Sequence, residues 1–160
     1  MRMKPDLVLR NATPADTDVV AGLFEEYRAF YKRAPAPEDA RAFIADRIAR
    51  GDSAIILALV TSGDTEDGAG FIQLYPTFSS LRMRRVWIIN DLFVAPRHRE
   101  HRIGKRLMLA AKKHADETGA CGLSLETAPD NLTARRLYES LGYQPDESML
   151  HYVLDWKPKR

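Results

Sequence analysis

The 160-residue chain contains a single cysteine, Cys121. A lone thiol closes no intrachain disulfide, so a cytoplasmic home is expected. Long apolar runs are missing as well. None approaches the roughly 18 residues that cross a bilayer, and no membrane span is expected. The opening Met1-Arg2-Met3-Lys4-Pro5-Asp6 is charged but leads into no apolar secretory core. Nor does one sign of charge dominate. The 24 Lys and Arg residues face 22 Asp and Glu, and the net charge of +2 gives no case for a nucleic-acid scaffold. Internal repeats and low-complexity tracts are absent. What is present is ordinary for a packed protein, 45% hydrophobic and 29% charged. The length suits one domain spanning residues 1–160.

Periodicity sets the expected elements. Leu7-Val8-Leu9-Arg10 reads as a first strand. Thr13-Pro14-Ala15-Asp16 looks like a helix start, with Thr13 as cap, Pro14 in the first position and Asp16 three residues after the cap. Val20, Leu23, Phe24, Tyr27, Phe30 and Tyr31 then recur at helical spacing to about Lys32. A second helix is expected from Pro37 to Arg50, stopped by Gly51. The apolar run from Ala54 to Thr61, a polar turn and Gly70 to Tyr75 read as a hairpin, followed by a loop over Pro76–Met83. Arg85–Val94 is the longest strand-like stretch. Beyond it come a helix from Ile103 to about Thr118, a strand over Gly122–Thr127, a helix over Asn131–Leu141 and a last strand over Met149–Trp156. The order β-α-α-β-β-β-α-β-α-β predicts a mixed α/β fold with helices on both faces of the sheet.

The segment most suggestive of chemistry runs from strand through basic loop to helix, Asn90-Asp91-Leu92-Phe93-Val94-Ala95-Pro96-Arg97-His98-Arg99-Glu100-His101-Arg102-Ile103-Gly104-Lys105-Arg106. The first turn of a helix offers unpaired N–H groups and the positive end of the dipole. A glycine there admits an anion close to the backbone, and nearby arginines add charge, so a pyrophosphate fits in principle. A second segment, Glu126 to Tyr143, places Asn131 as a helix cap, with Ala134 three residues on and Tyr138 seven residues on along the same face. His98, His101, His114 and His151 show no metal-ligand spacing with Cys121, and no metal is expected.

Together these segments resemble the GCN5-related N-acetyltransferase (GNAT) superfamily. Its pyrophosphate motif, Arg/Gln-x-x-Gly-x-Gly/Ala, is matched by Arg99-Glu100-His101-Arg102-Ile103-Gly104, with Arg102 in place of the first glycine. The resemblance implies a mostly antiparallel mixed sheet whose central strand splays from its neighbour. The backbone of Leu92, Phe93 and Val94 would then hold the pantetheine arm of acetyl-coenzyme A. Arg99 through Lys105 would hold the pyrophosphate, and Asn131 and Arg135 would add contacts to the cofactor. Tyr138 falls where the family keeps a tyrosine near the thioester sulfur, often as general acid. Tyr75–Leu81, Asn90–Val94 and Leu125–Ala128 are similar to a subgroup with polyamine, histone and D-amino-acid acetyltransferases, although the acidic pair of the polyamine enzymes is here Asn90-Asp91.

The implied reaction is attack of a neutral primary amine on the acetyl thioester. The acceptor amine stays open among polyamine, amino acid, protein lysine and other small amines. Asp91 leads the candidate bases, ahead of Glu126, Glu25 and Glu26, with a proton relay through water standing equally beside it, and Tyr138 is the candidate acid. Two other classes compete. One is a catalytically idle acyl-coenzyme A sensor, against which Tyr138 argues. The other is a nucleic-acid binder using Arg82, Arg84, Arg85, Arg97, Arg99, Arg102, Lys105 and Arg106, against which the lack of interleaved aromatics argues. The resemblance also implies a homodimer, paired through an exposed C-terminal strand.

Overall fold

The computed structural model describes residues 6–156. Strand β1 (Asp6–Asn11) leads through a 3₁₀ turn over Pro14–Asp16 into α1 (Thr17–Phe30), and α2 (Pro37–Arg50) follows. The Asp16 carboxylate fixes this entry. It accepts from the Thr13 N–H at 2.7 Å and forms a two-pronged ion pair with Arg10 at 2.6 and 2.8 Å. The Arg10 guanidinium holds the Asp16 carboxyl well below the usual carboxylate range. Glycine ends α2, because Gly51 takes φ +60°, a left-handed conformation that a Cβ disfavours.

β2 (Ala54–Ser62), β3 (Thr65–Ser79) and β4 (Arg84–Val94) form an antiparallel meander beside β1. After α3 (Ile103–Glu117), β5 (Leu123–Leu125) joins β4 in parallel. Six consecutive residues of β2, Ile55 to Val60, are buried, so both faces of the sheet are covered. Alternation sorts them. Ile55, Leu57 and Leu59 meet Val20 and Leu23 of α1 and Ile44 of α2, with Phe71 and Phe93, in one core cluster. The other face meets α3, which packs on β2, β3 and β4 and buries Ile103, Leu107, Met108 and Ala111. β3 and β4 approach closely at Gly70, where a Cβ would lie 2.5 Å from the Phe93 carbonyl oxygen.

The chain divides into two compact units, Met1–Glu126 and Thr127–Arg160. The first holds the sheet, α1, α2 and α3. In the second, α4 (Leu132–Ser140) is capped by Asn131, whose side-chain oxygen accepts the Ala134 N–H at 3.4 Å.

Three expected elements differ from those observed. β3 runs on through Ser79, which takes up half of the loop expected over Pro76–Met83. Its extra residues pair with Arg84–Trp87, so a long partner strand extends it despite Pro76. β5 is three residues long rather than six. The expected last strand over Met149–Trp156 does not form, and those residues carry no regular structure. Their composition is strand-like, but a strand exists only through a ladder with a neighbour, and among the described residues they have none. The mixed sheet and its helices are otherwise as expected.

Candidate active site

Two features of the first unit suit a long anionic thioester. Trp87, Ile88 and Ile89 of β4 pair with Leu123, Ser124 and Leu125 of β5, and the pairing stops there. Asn90–Val94 therefore has no strand partner on that side among the described residues. Its outer backbone edge is free of a sheet ladder, over the stretch that contains Leu92, Phe93 and Val94. Phe93 itself is buried in the core, so any contact from this residue to a cofactor would be through backbone.

The second feature is the start of α3. Arg102 is its N-cap and makes no capping side-chain hydrogen bond, and Arg106 N–H is the donor to the Arg102 carbonyl. The N–H groups of Ile103, Gly104 and Lys105 precede that first bond and have no intrahelical partner. This is a donor set that fits a diphosphate. Ile103 is buried under the helix, and Gly104 is half-buried. His101, Arg102, Lys105 and Arg106 are exposed around them, and none forms an ion pair among the described residues. Arg102 has φ 53°, a left-handed conformation, which gives a physical reason for glycine at that place in the motif.

The basic loop does not act as one block. Arg97 reaches Asp67 at 2.9 Å, Glu26 at 3.1 Å and the Gly68 carbonyl at 3.0 Å, and His98 lies 2.7 Å from the same Asp67. Hydrogen bonds from Arg97 first, and then from His98, hold the Asp67 carboxyl down at about 2 and tie the loop to the β2–β3 hairpin and α1. Arg99 donates to the Val94 carbonyl at 3.3 Å. Arg97 and His98 are thus structural anchors, and the charge left for an anion lies at His101–Arg106.

The candidate bases separate in the same way. Glu25 pairs with Arg28 and accepts the Ala36 N–H at 2.9 Å, which fastens α1 to the start of α2. Glu26 is taken by Arg97. Asp91 differs from both. It is 5% exposed, on the α1–α2 face of the sheet with Phe93. Its partners are neutral amides, Gln73 Nε2 at 2.8 Å to Oδ2 and Asn90 Nδ2 at 3.1 Å to Oδ1. No cation pairs with it among the described residues. Across from it, β3 and β4 slip register, with Gln73 opposite Asp91 and Leu74 opposite Ile89, so Asn90 is the extra residue of a bulge. Tyr75 lies in the same field, and burial together with the Asp91 charge pushes its phenol up to about 12.

In the second unit, Asn131 Nδ2 donates to Thr127 Oγ1 at 3.2 Å, and Arg135 donates to the Pro129 carbonyl at 2.9 Å. Tyr138 is half-buried, its ring 6.2 Å from that of Tyr143. Burial pushes the Tyr143 phenol up to about 12. Among the described residues no group of three His, Cys, Asp or Glu side chains could hold a metal ion, and no helix is long and apolar enough to cross a membrane. Sequence reasoning passed over Gln73 and Ser53. The available signal was a lone amide inside the apolar run Phe71-Ile72-Gln73-Leu74, two residues from Phe71 and therefore on its face.

Comparison with known proteins agrees with this geometry. The uncharacterized N-acetyltransferase YhfO of Bacillus subtilis (strain 168) is 42% identical over 147 residues, 92% of this chain and 96% of that protein. The D-amino-acid N-acetyltransferase HPA3 of Saccharomyces cerevisiae is 29% identical over 143 residues, 88% of this chain and 87% of its own. The crystal structure of a probable acetyltransferase superposes with a TM-score of 0.87 at 38% identity, covering 95% of this chain and 99% of the other. Residues 20–143 match the model of the Acetyltransferase (GNAT) family. The match to the family model and the likeness to YhfO place the chain in the GNAT family, as an acetyl-coenzyme A-dependent N-acetyltransferase, and the half-paired β4 and uncapped helix start are in keeping with it.

Proposed function

We propose that the chain moves the acetyl group of acetyl-coenzyme A directly to a primary amine, with Asp91 as the site of amine binding and deprotonation. One observation carries this reading: a buried carboxylate held by two neutral amides and, among the described residues, by no cation. An uncompensated buried charge is costly, and a buried carboxylate normally has a cationic partner. Asp16, also buried, has Arg10. The ammonium of an acceptor supplies the missing cation at Asp91. Asp91 takes one proton from it, the freed nitrogen lone pair forms the N–C bond, and the C–S bond breaks. The coenzyme A thiolate takes a proton, from Tyr138 on the likeness of the motif, and the acylated nitrogen sheds its second proton to solvent, which restores the phenol. The likeness to the yeast D-amino-acid N-acetyltransferase supports an amino acid among the acceptors to be tried first.

The test is a screen of D- and L-amino acids, polyamines, lysine peptides and simple primary amines with acetyl-coenzyme A, read as free thiol. Amine-dependent thiol release that falls at least about 100-fold in Asp91→Asn is expected, within the range of acid–base effects. Parental turnover in Asp91→Asn removes Asp91 from the chemistry. Acetyl-coenzyme A binding without turnover on any amine favours the idle sensor.

A further inference from the structure

We propose that Gln73 and Ser53 are positioning residues for Asp91, forming a one-way hydrogen-bond chain that fixes the orientation of the carboxylate without placing a cation beside it. This inference rests on Asp91 being the base. Gln73 is fully buried in the middle of β3, and its Nε2 donates to Asp91 Oδ2 at 2.8 Å. Ser53, just before β2, donates to Gln73 Oε1 at 3.0 Å. The direction of the chain follows from chemistry. An ionised carboxylate only accepts, so the amide NH₂ must face Asp91. The amide oxygen is then left facing Ser53, whose hydroxyl must donate. Each link leaves the next with one orientation.

The choice of an amide over a cation matters for a base. A guanidinium holds a carboxylate ionised so firmly that it resists taking a proton, as Arg10 does to Asp16. A neutral amide orients the oxygen and replaces lost water without setting a full positive charge beside it, so it favours the ionised form less than a guanidinium does. A glutamine at zero exposure also has an apolar alternative, since its neighbours Phe71, Ile72 and Leu74 are apolar and equally buried. The bulge adds a second reason for a side-chain tether. It turns Asn90 out as the extra residue of β4 and interrupts the regular pairing of β3 and β4 beside Asp91. The carboxylate therefore lies where the ladder is weakest, and Gln73, directly opposite in register, spans the gap.

The experiment uses full-length Gln73→Leu, Ser53→Ala, Ser53→Thr, Asp91→Asn and the double variant Gln73→Leu with Asp91→Asn. Each is assayed on one primary amine that the parent acetylates, with acetyl-coenzyme A binding followed by calorimetry. Misplacing a catalytic group by about 1 Å costs up to about 100-fold, so Gln73→Leu should lower kcat by about 10- to 100-fold, with acetyl-coenzyme A affinity within about twofold of the parent. Ser53→Ala should lower kcat more mildly, and Ser53→Thr, which keeps the hydroxyl, should restore it. The double variant should be no slower than Asp91→Asn alone, because a residue acting through Asp91 has nothing left to position. Parental kcat in Gln73→Leu, or losses that multiply in the double variant, overturns the inference. If Gln73→Leu does not fold, parental kcat in Ser53→Ala overturns it instead. Parental kcat in Asp91→Asn sinks the base assignment and this inference together, whereas an impaired Asp91→Asn beside an unimpaired Gln73→Leu sinks this inference alone.

Discussion

Arg102 sits at φ 53°, where glycine is at ease and a side chain is not. A left-handed residue with a Cβ costs about 1–2 kcal/mol, and glycine gives back about 0.5–1 kcal/mol through its freer unfolded state. Arg102→Gly should therefore stabilise the fold by up to about 1 kcal/mol on that balance, as measured by urea denaturation. Its exposed guanidinium pairs with no acid among the described residues, so the change should keep turnover within about tenfold, roughly 1.4 kcal/mol. A loss of turnover far beyond that would make Arg102 a required phosphate ligand. Tyr138 tests the other end of the reaction. Tyr138→Phe keeps the ring and removes only the proton donor. Acid catalysis contributes about 10²–10⁴-fold, and a thiolate leaves readily, so a fall in kcat near the lower limit is expected. Because the lost interaction belongs to the transition state, kcat and kcat/KM should fall together. An unchanged kcat would reduce Tyr138 to a packing role.

At the level of elements, local signals announced most of the helices and strands. Glycine stops at Gly51, Gly119 and Gly142, the Asn131 cap and the continuous apolar run of β2 each determine structure within a few residues, and each was readable. The places that were not readable depend on partners far along the chain. β3 extends past Pro76 because β4 lies beside it, and Met149–Trp156 stays irregular because nothing pairs with it among the described residues. In the site, the basic motif was legible but its division of labour was not, since Arg97 and His98 are claimed by Asp67, some 30 residues earlier. His114 is a similar case on α3. Its ring lies 4.7 Å from Trp87, whose indole N–H donates to Thr118 at 2.8 Å, so the end of α3 is tied to β4. Burial, helped by Arg85 and opposed by Glu117, lowers the His114 pKa from its ordinary value. The folded state therefore binds this proton less readily than the unfolded chain. The stabilisation is present above the ordinary histidine value of about 6.5 and is lost as pH falls through the folded value. Stability should drop between pH 7 and pH 5 in the parent, and by less in His114→Phe. Equal drops in the two proteins, followed by Trp87 fluorescence during denaturation, would clear His114 of the effect.

For the molecule as a whole, the two features that fit the cofactor lie in one compact unit. The helix start of α3 offers donors to a diphosphate, and the unpaired half of β4 offers backbone to the pantetheine arm. Both exist only in the folded sheet-and-helix arrangement, because Asn90–Val94 is held by β3 and the start of α3 by buried Ile103. A ligand that binds only the folded state raises its stability by mass action, by about 2.7 kcal/mol at 100 times Kd. For a chain of this length each kcal/mol moves Tm by about 2–4 °C, so saturating acetyl-coenzyme A should raise Tm by roughly 5–10 °C. Coenzyme A without the acetyl group should give nearly the same shift if, as proposed, the diphosphate and pantetheine make the contacts. Adding salt should shrink it, because the free charges of Arg102, Lys105 and Arg106 are exposed and screened. Gly104→Glu separates this site from any other. It puts bulk and negative charge in the first turn of α3, where the helix dipole and the unpaired N–H groups attract an anion, and it should remove the shift while leaving the unliganded Tm close to the parent's. A full shift in Gly104→Glu, measured by differential scanning calorimetry, would place the diphosphate elsewhere on the protein.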